Sequence, residues 1–472
     1  MQIIINFFET VAGFGASVMM PIIIFIFGLC LRAGVGKSLR AGLTVGVGFI
    51  GLNLVIGMMG SHLGPAVESM TYNFGFVQLP VMDVGWPAAA AIAFGSTVGA
   101  VIIPVGLLIN IVMLLTKTTQ TVNIDIWNYW HFAFTGALVA VLVEGLTGSA
   151  AQALAFGTVA AGLNMIIVMV MADVTAPGVE EYNGLPGISL PHGFTTSFVP
   201  GAIVLNWIMD KIPGLNKVDI DMTKMQVRFG VFGEPILVGT FLGIVIGAAA
   251  GYHLFDTSAG PSILLLGITL GAALVLIPKM AAMLMEGLMP ISDAAGELIS
   301  KRFSSRGKVY IGLDSAVGIG HPTTLAVSLI LVPLAVFIAV ILPGNQMLPM
   351  ADLAVIPFMF VLIIPVVKNN GFRAFIIGIF TLITGFWIAT NLAPEITQAA
   401  YDSGFMQAEI AGGQLISSIC DGAVPFTWGI LRVQEWTTPV IGTVIVAVIS
   451  VAMAVWNRIR IGKEAAKLAA GE

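Results

Sequence analysis

Five short stretches of this 472-residue chain place ionisable or aromatic side chains inside apolar sequence. Asp83 and Trp86 stand in VMDVGWPAAAA, and His192 with Thr195 and Thr196 in ISLPHGFTTSF. Glu234 lies in FGVFGEPILVG, Asp314 and His321 share GLDSAVGIGHPTT with Thr323 and Thr324, and Asp421 opens DGAVPFTWG. An ionisable group in hydrocarbon needs partners or cavity water to compensate its desolvation, so each is a functional-site hypothesis. Together they supply carboxylates, imidazoles, hydroxyls and an aromatic face. That set suits a hydroxyl-rich substrate, with donors and acceptors for each OH and an apolar surface for its CH groups. No tight run of His or carboxylates has metal-ligand spacing, so no metal centre is expected. Nor is there a GxxxxGK[ST] loop, so the chain is not expected to hydrolyse ATP, and no cofactor is implied.

Each residue also has a structural reading. Asp83 and Asp421 precede apolar helices, where Asp is a common N-cap; cap and ligand contact stand level for both. His192 follows Pro191 at a turn and could simply bond a carbonyl. The recurrence of His beside Thr pairs in two broken segments favours function. Asp314 has no basic neighbour in its apolar, glycine-rich run, where a purely structural carboxylate would be costly, so the ligand reading leads. Glu234, before Pro235 at a span entrance, is equally well read as solvated or as facing a helix dipole. Asn53, Asn110, Glu144 and Glu286 are weaker candidates, the two Glu residues being read as interfacial.

The elements that must position these residues are membrane helices. Only 10% of the chain is charged, against about 25% in a soluble domain, and 57% is hydrophobic. Mean hydropathy is +0.99. At about 20 apolar residues per crossing, the chain has room for about ten to fourteen spans. Apolar runs lie near 11–31, 39–60, 99–116, 130–147, 149–171, 236–254, 261–288, 323–343, 351–367, 372–392 and 438–456. The expected fold is therefore an all-α polytopic membrane protein with about 11 transmembrane helices. Shorter Gly/Pro-punctuated stretches near 84–98, 185–209, 310–322 and 411–430 are expected to be broken or re-entrant. Such segments occur at membrane depth only where protein or a water-filled cavity covers them, which points to a transport path.

The basic residues set an orientation. Arg32, Lys37 and Arg40, Lys211 to Arg228, Lys301 to Lys308, Lys368 and Arg373, and the tail at 457–472 all fall in loops or at the end of the chain. The positive-inside rule places them in the cytoplasm, with the amino terminus outside and the carboxyl terminus inside. No basic run is rich enough for nucleic acid, and the net charge of −5 adds little. Cys30 and Cys420 lie in or beside apolar sequence and form no framework. The start has no basic n-region and no cleavage site, so the first helix is expected to stay. A faint internal repeat relates about 20–90 to about 335–425: GKSLRAGLTVGVGFIG resembles NGFRAFIIGIFTLITG, and DVGWP resembles DGAVP.

The strings VNIDIWNYWHFAFTGAL, DVGWP, FGEPILVG, GLDSAVGIGH and PGNQMLP, with the PHG turn, resemble the galactitol-type membrane component (EIIC) of the bacterial phosphoenolpyruvate:sugar phosphotransferase system. The likeness covers nearly the whole chain as a single EIIC domain. More distantly the chain is similar to the ascorbate EIIC, at the turns holding His192 and Asp314. The resemblance implies a multi-pass permease of the bacterial inner membrane for galactitol or a related polyol. It implies separate EIIA and EIIB partners, with phospho-EIIB phosphorylating the substrate from a phosphocysteine. It also implies a homodimer in which a core domain slides against a scaffold, an elevator. The ascorbate relatives imply that His192 and Asp314 touch substrate, and both are the catalytic candidates. Asp83, Trp86, Thr195, Glu234, His321 and Asp421 complete the expected substrate site. Cys420, in an apolar hairpin without a phosphate-cradling loop, is rejected as the phosphorylated cysteine. The rival reading is an ion-coupled secondary transporter of polyols or sugars, with Asp314 or Glu234 as coupling carboxylate. A membrane scaffold or receptor is disfavoured by the four broken segments.

Overall fold

The computed structural model describes residues 16–30, 32–73, 80–123, 125, 128–218, 235–255, 262–303, 308–349, 352–353, 355–404 and 407–470. Helices α1 (Ala16–Cys30) and α2 (Val35–Asn73) come first, then strand β1 (Val81–Asp83), α3 (Gly85–Gly95) and α4 (Gly99–Leu115). Strand β2 (Thr121–Asn123) leads to α5 (Tyr129–Thr147) and α6 (Ala150–Tyr182), then β3 (Ile188–Ser189), α7 (Gly193–Thr196) and α8 (Val199–Lys211). Helices α9 (Pro235–Ala249) and α10 (Ile263–Phe303) precede β4 (Tyr310–Gly312), α11 (Ala316–Ile319) and α12 (Pro322–Ile341). Helices α13 (Ile363–Val366), α14 (Gly371–Asp402) and α15 (Gln407–Ala411), strand β5 (Leu415–Ser417), α16 (Pro425–Trp436) and α17 (Pro439–Ala470) follow.

Five of these helices are long and apolar enough to cross a membrane: α5, α6, α12, α14 and the Pro439–Ala466 part of α17. The chain is thus a mostly helical protein with several candidate membrane spans. In α5 about two thirds of the apolar window is buried inside the protein, whereas in α17 only 22% is. An apolar helix left so open needs lipid or another protein surface to cover it. One expected span has another form. The run near 351–367 folds as a 3₁₀ segment, Ile356–Phe360, followed by the single turn of α13. Pro357 and Pro365 each remove a backbone donor, and eleven residues are too few to cross hydrocarbon.

Helix α10 packs against α2 and α9, and α1 against α2; α5 pairs with α6, against which α17 also lies. The α5–α6 contact is a backbone approach. A Cβ at Gly136 would stand 2.6 Å from the Gly157 carbonyl oxygen, and one at Gly157 the same distance from the Gly136 carbonyl. Small residues at such a crossing gain the van der Waals contact that holds helices together in lipid.

The four Gly/Pro-punctuated stretches each combine a short helix with a strand within it or immediately ahead of it. Strands β1 and β5 pair in parallel, with Val81 opposite Leu415 and Asp83 opposite Ser417. Strand β4 lies between β2 and β3, also parallel, with Gly312 opposite both Asn123 and Ser189. A buried backbone that leaves the helix must find other partners, and a ladder of two or three residues supplies them. Parallel pairing makes β2, β3 and β4 run in one direction and release their chains at one end. Gly312 has to be bare there, because a Cβ would meet Pro191 Cγ at 2.8 Å and Asn123 Cα at 3.0 Å.

Asp173 of α6 ties this sheet to the bundle. Its carboxylate accepts hydrogen bonds from Thr119 Oγ1 (2.7 Å), Gln120 N (3.1 Å), Thr121 Oγ1 (2.7 Å) and Asn457 Nδ2 of α17 (2.7 Å). Removing the acceptor strands several buried donors at once. Asp173→Ala is expected to destabilise the protein by at least about 3 kcal/mol, read as a lower melting temperature in detergent. An unchanged melting temperature would show that the sheet does not depend on this carboxylate.

Candidate functional site

The strand ends deliver the polar residues. Past β3, Pro191 and His192 lead into α7, and the His192 carbonyl accepts from Thr196 Oγ1 at 2.7 Å. Past β4, Asp314 Oδ1 accepts from Ala316 N at 2.7 Å and so opens α11. Past β5, a turn brings up Asp421 with a left-handed backbone (φ 69°), which Asp tolerates better than most residues. The first turn of α5 contributes His131.

These four side chains form a continuous buried chain. Both Asp421 carboxylate oxygens lie on His131 Nδ1, at 2.8 and 2.9 Å. His131 Nε2 is 3.2 Å from His192 Nε2, and His192 Nε2 is 3.7 Å from Asp314 Oδ1. Thr195 Oγ1 lies 3.4 Å from His192 Nδ1. The donors can be assigned in one consistent direction. If His131 Nδ1–H donates to Asp421, its Nε2 accepts from His192 Nε2–H. His192 Nδ1 then accepts from the Thr195 hydroxyl. The rings also stack loosely, their centroids 4.1 Å apart, with Trp130 4.0 Å from His131 and Phe358 5.7 Å from His192.

Asp83 belongs to a second knot. Its Oδ1 accepts from Gly85 N (3.1 Å) and its Oδ2 from Asp352 N (2.8 Å). Asp352 in turn accepts from Trp86 N (2.7 Å), Ser418 Oγ (2.5 Å) and Cys420 N (3.2 Å). Asp83 therefore reaches Asp421 only through Asp352 and the 418–420 turn. Neither residue is the helix cap that its position suggests. The caps of α3 and α16 are Val84 and Val424, without side-chain bonds. Trp86 is half-buried beside this knot, and its Nε1 and the hydroxyl of Ser315 are buried without a partner among the described residues.

The other expectations divide. Thr195 sits in the cluster, whereas His321 stands at the start of α12, beyond α11. Thr323 donates to Asn369 at 2.5 Å. Asn110 is structural: its side chain bonds Thr121 O and Asn123 N at 3.0 Å each, extending the β2 edge. Glu144 is exposed at the end of α5, and Glu286 is exposed opposite Arg40 at 3.8 Å. Glu234 lies outside the described residues. Two central residues were not singled out from the sequence. His131 met the criterion used for the others, an ionisable group in an apolar helix, but stood at the edge of an expected span. Asp352 stands at the very start of the apolar run near 351–367, where an Asp usually reads as a solvated cap.

A buried carboxylate–imidazole chain inside a bundle whose helices are long and apolar enough to cross a membrane suits a multi-pass membrane protein. Residues 10–409 match the family described as the sugar-specific permease component of the phosphotransferase system, EIIC-GAT, and the chain belongs to it. An Escherichia coli K12 protein, provisionally named a permease IIC component, is 40% identical over 91% of this chain and 94% of its own length. The galactitol-specific EIIC components of Escherichia coli K12 and O157:H7 are each 37% identical over 89% of this chain and 88% of theirs. The ion-coupled alternative is not favoured by these relationships.

Gly193 gives a test of the imidazole pair. A Cβ there would stand 2.5 Å from His131 Cβ, so the ring has to move. Gly193→Ala is expected to lower transport at least tenfold with normal amounts in the membrane. Near wild-type uptake would show that the His131–His192 contact is dispensable.

Proposed function

We propose that the chain carries galactitol or a related polyol across the bacterial inner membrane and presents it to phospho-EIIB for phosphorylation. The observation that carries this reading is the His192–Asp314 pair, each held at the end of a parallel strand inside the bundle. Asp314 Oδ1 is occupied by Ala316 N, and its Oδ2 is left to orient a substrate hydroxyl. As that oxygen attacks the phosphorus on the EIIB cysteine, the S–P bond breaks and the thiolate keeps the electron pair. Asp314 takes the hydroxyl proton. His192 accepts from a neighbouring hydroxyl at Nδ1, in place of the long 3.4 Å contact with Thr195, with His131 and Asp421 fixing its tautomer and direction. Asp83, Asp421 and His321 serve further hydroxyls, Glu234 belongs to the same expected site, and Trp86 offers its face to the carbon chain and its Nε1–H to a hydroxyl oxygen.

The same reading takes the four strand-bearing stretches as re-entrant hairpins, with the carboxyl-terminal end of α17 on the cytoplasmic side. The group α1, α2, α9 and α10 and the strand-bearing remainder are two bodies that slide in an elevator cycle, in a homodimer. The similarity of the 20–90 and 335–425 segments supports a duplication, as does the parallel pairing of β1 with β5. The basic segment 301–308 is the docking surface for EIIB, with EIIA acting upstream.

Inside-out vesicles carrying the chain are expected to form galactitol phosphate only with phospho-EIIB. Asp314→Asn is expected to abolish product while substrate binding partly survives; full phosphorylation in that variant would remove Asp314 from its role. If every polyol fails while an ion gradient drives uptake of unmodified substrate, the phosphotransfer reading falls. Charge reversal at Lys301, Arg302 and Lys308 is expected to weaken apparent EIIB affinity and flatten its salt dependence. Unchanged affinity would place the docking surface elsewhere.

A further inference from the structure

A cavity of about 340 Å³ lies between the end of α4 and the last turns of α17. Its walls are mostly apolar, with Ile111 and Leu115 on one side and Ile461 on the other; Lys117, Lys308 and Arg458 stand around it, and the side chains of Thr119 and Gln120 in its lining already donate to Asp173 and to Lys308 O. Lys308 is ion-paired with Glu180. Among the described residues, Lys117 and Arg458 have no carboxylate in ion-pair range. The gap is held open by the protein itself: Asn457 Nδ2 donates to Thr118 O at 3.0 Å and to Asp173, fixing α17 against the turn after α4.

The surface leading away from the cations is apolar. Leu108, Ile111 and Leu115 of α4 and Val451 and Val455 of α17 are all exposed. At helical spacing, Val451 and Val455 share a face with Arg458 and Gly462. Two apolar helix strips therefore run from a cationic end along the outside of the bundle. A small soluble phosphate would want polar donors on several sides, and these walls offer few. A molecule with an anionic head and long apolar chains matches both parts at once. We propose that this groove binds an anionic phospholipid, its phosphate against Lys117 and Arg458 and its acyl chains along α4 and α17. The inference is independent of the substrate carried.

Native mass spectrometry of the full chain in neutral detergent tests this, with phosphatidylglycerol and phosphatidylcholine as paired probes. Phosphatidylglycerol is expected to be retained about tenfold better. Lys117→Gln and Arg458→Gln are each expected to weaken its binding about fivefold, and together about 25-fold. The lipid-free melting temperature should be unchanged in these exposed-site variants. Equal retention of the two lipids, or wild-type retention by the double variant, overturns the proposal. So does displacement of phosphatidylglycerol by equimolar glycerol phosphate, which would make this a site for soluble phosphates. Disulfide cross-linking of Val455→Cys between two copies would assign the face to a second chain and would also overturn it.

Discussion

The hydrogen bond between Asp421 and His131 joins residues 290 positions apart in the chain, and the centre of the protein is arranged around it. A carboxylate in a core this apolar is tolerable only with donors aimed at it, and an imidazole is the donor that also leaves a second nitrogen to direct. With Nδ1 given to Asp421, His131 can act on His192 only through Nε2, and the orientation of His192 then follows. Asp421 reaches this position through a left-handed backbone at the end of a turn that Asp352 holds by Ser418 and Cys420. The second polar knot thus supports the first.

What brings these turns to one place is the treatment of backbone groups away from water. A helix satisfies itself, but it offers only its side chains to a ligand. Interrupting it exposes the backbone, and the protein pairs the interruptions with one another: β1 with β5, and β2 and β3 on either side of β4. Because the pairs are parallel, the residues after β3 and β4 leave in the same direction, which puts His192 within 3.7 Å of Asp314. Bare glycines make the approach possible at Gly312 and Gly193, where any Cβ would collide with Pro191 or His131.

The outside of the bundle follows a different rule. Helix α17 buries little of its apolar length, yet polar contacts anchor it: Ser450 to Leu163 O of α6, and Asn457 to Thr118 O and Asp173. It is held from within and left open outward, which is how a helix facing lipid differs from one facing a core. The permease family and this division between a polar interior and an apolar periphery describe the same molecule from two directions.

The composition alone determined that this is a helical membrane protein, since 10% charged residues cannot cover a water-soluble surface. The apolar runs located most of the long helices, and the ionisable residues inside them marked His192, Asp314 and Asp421 before any contact was known. The run near 351–367 misled because hydropathy does not register that Pro357 and Pro365 cut it into pieces. The strands were invisible because two or three residues carry no periodicity; they exist only where a partner strand lies alongside. For the same reason the sequence could not say which Asp faces which His. Asp83 and Asp421 look alike as isolated acids before a helix, and only the pairing of β1 with β5 and the turn at 418–421 give one of them backbone donors and the other an imidazole.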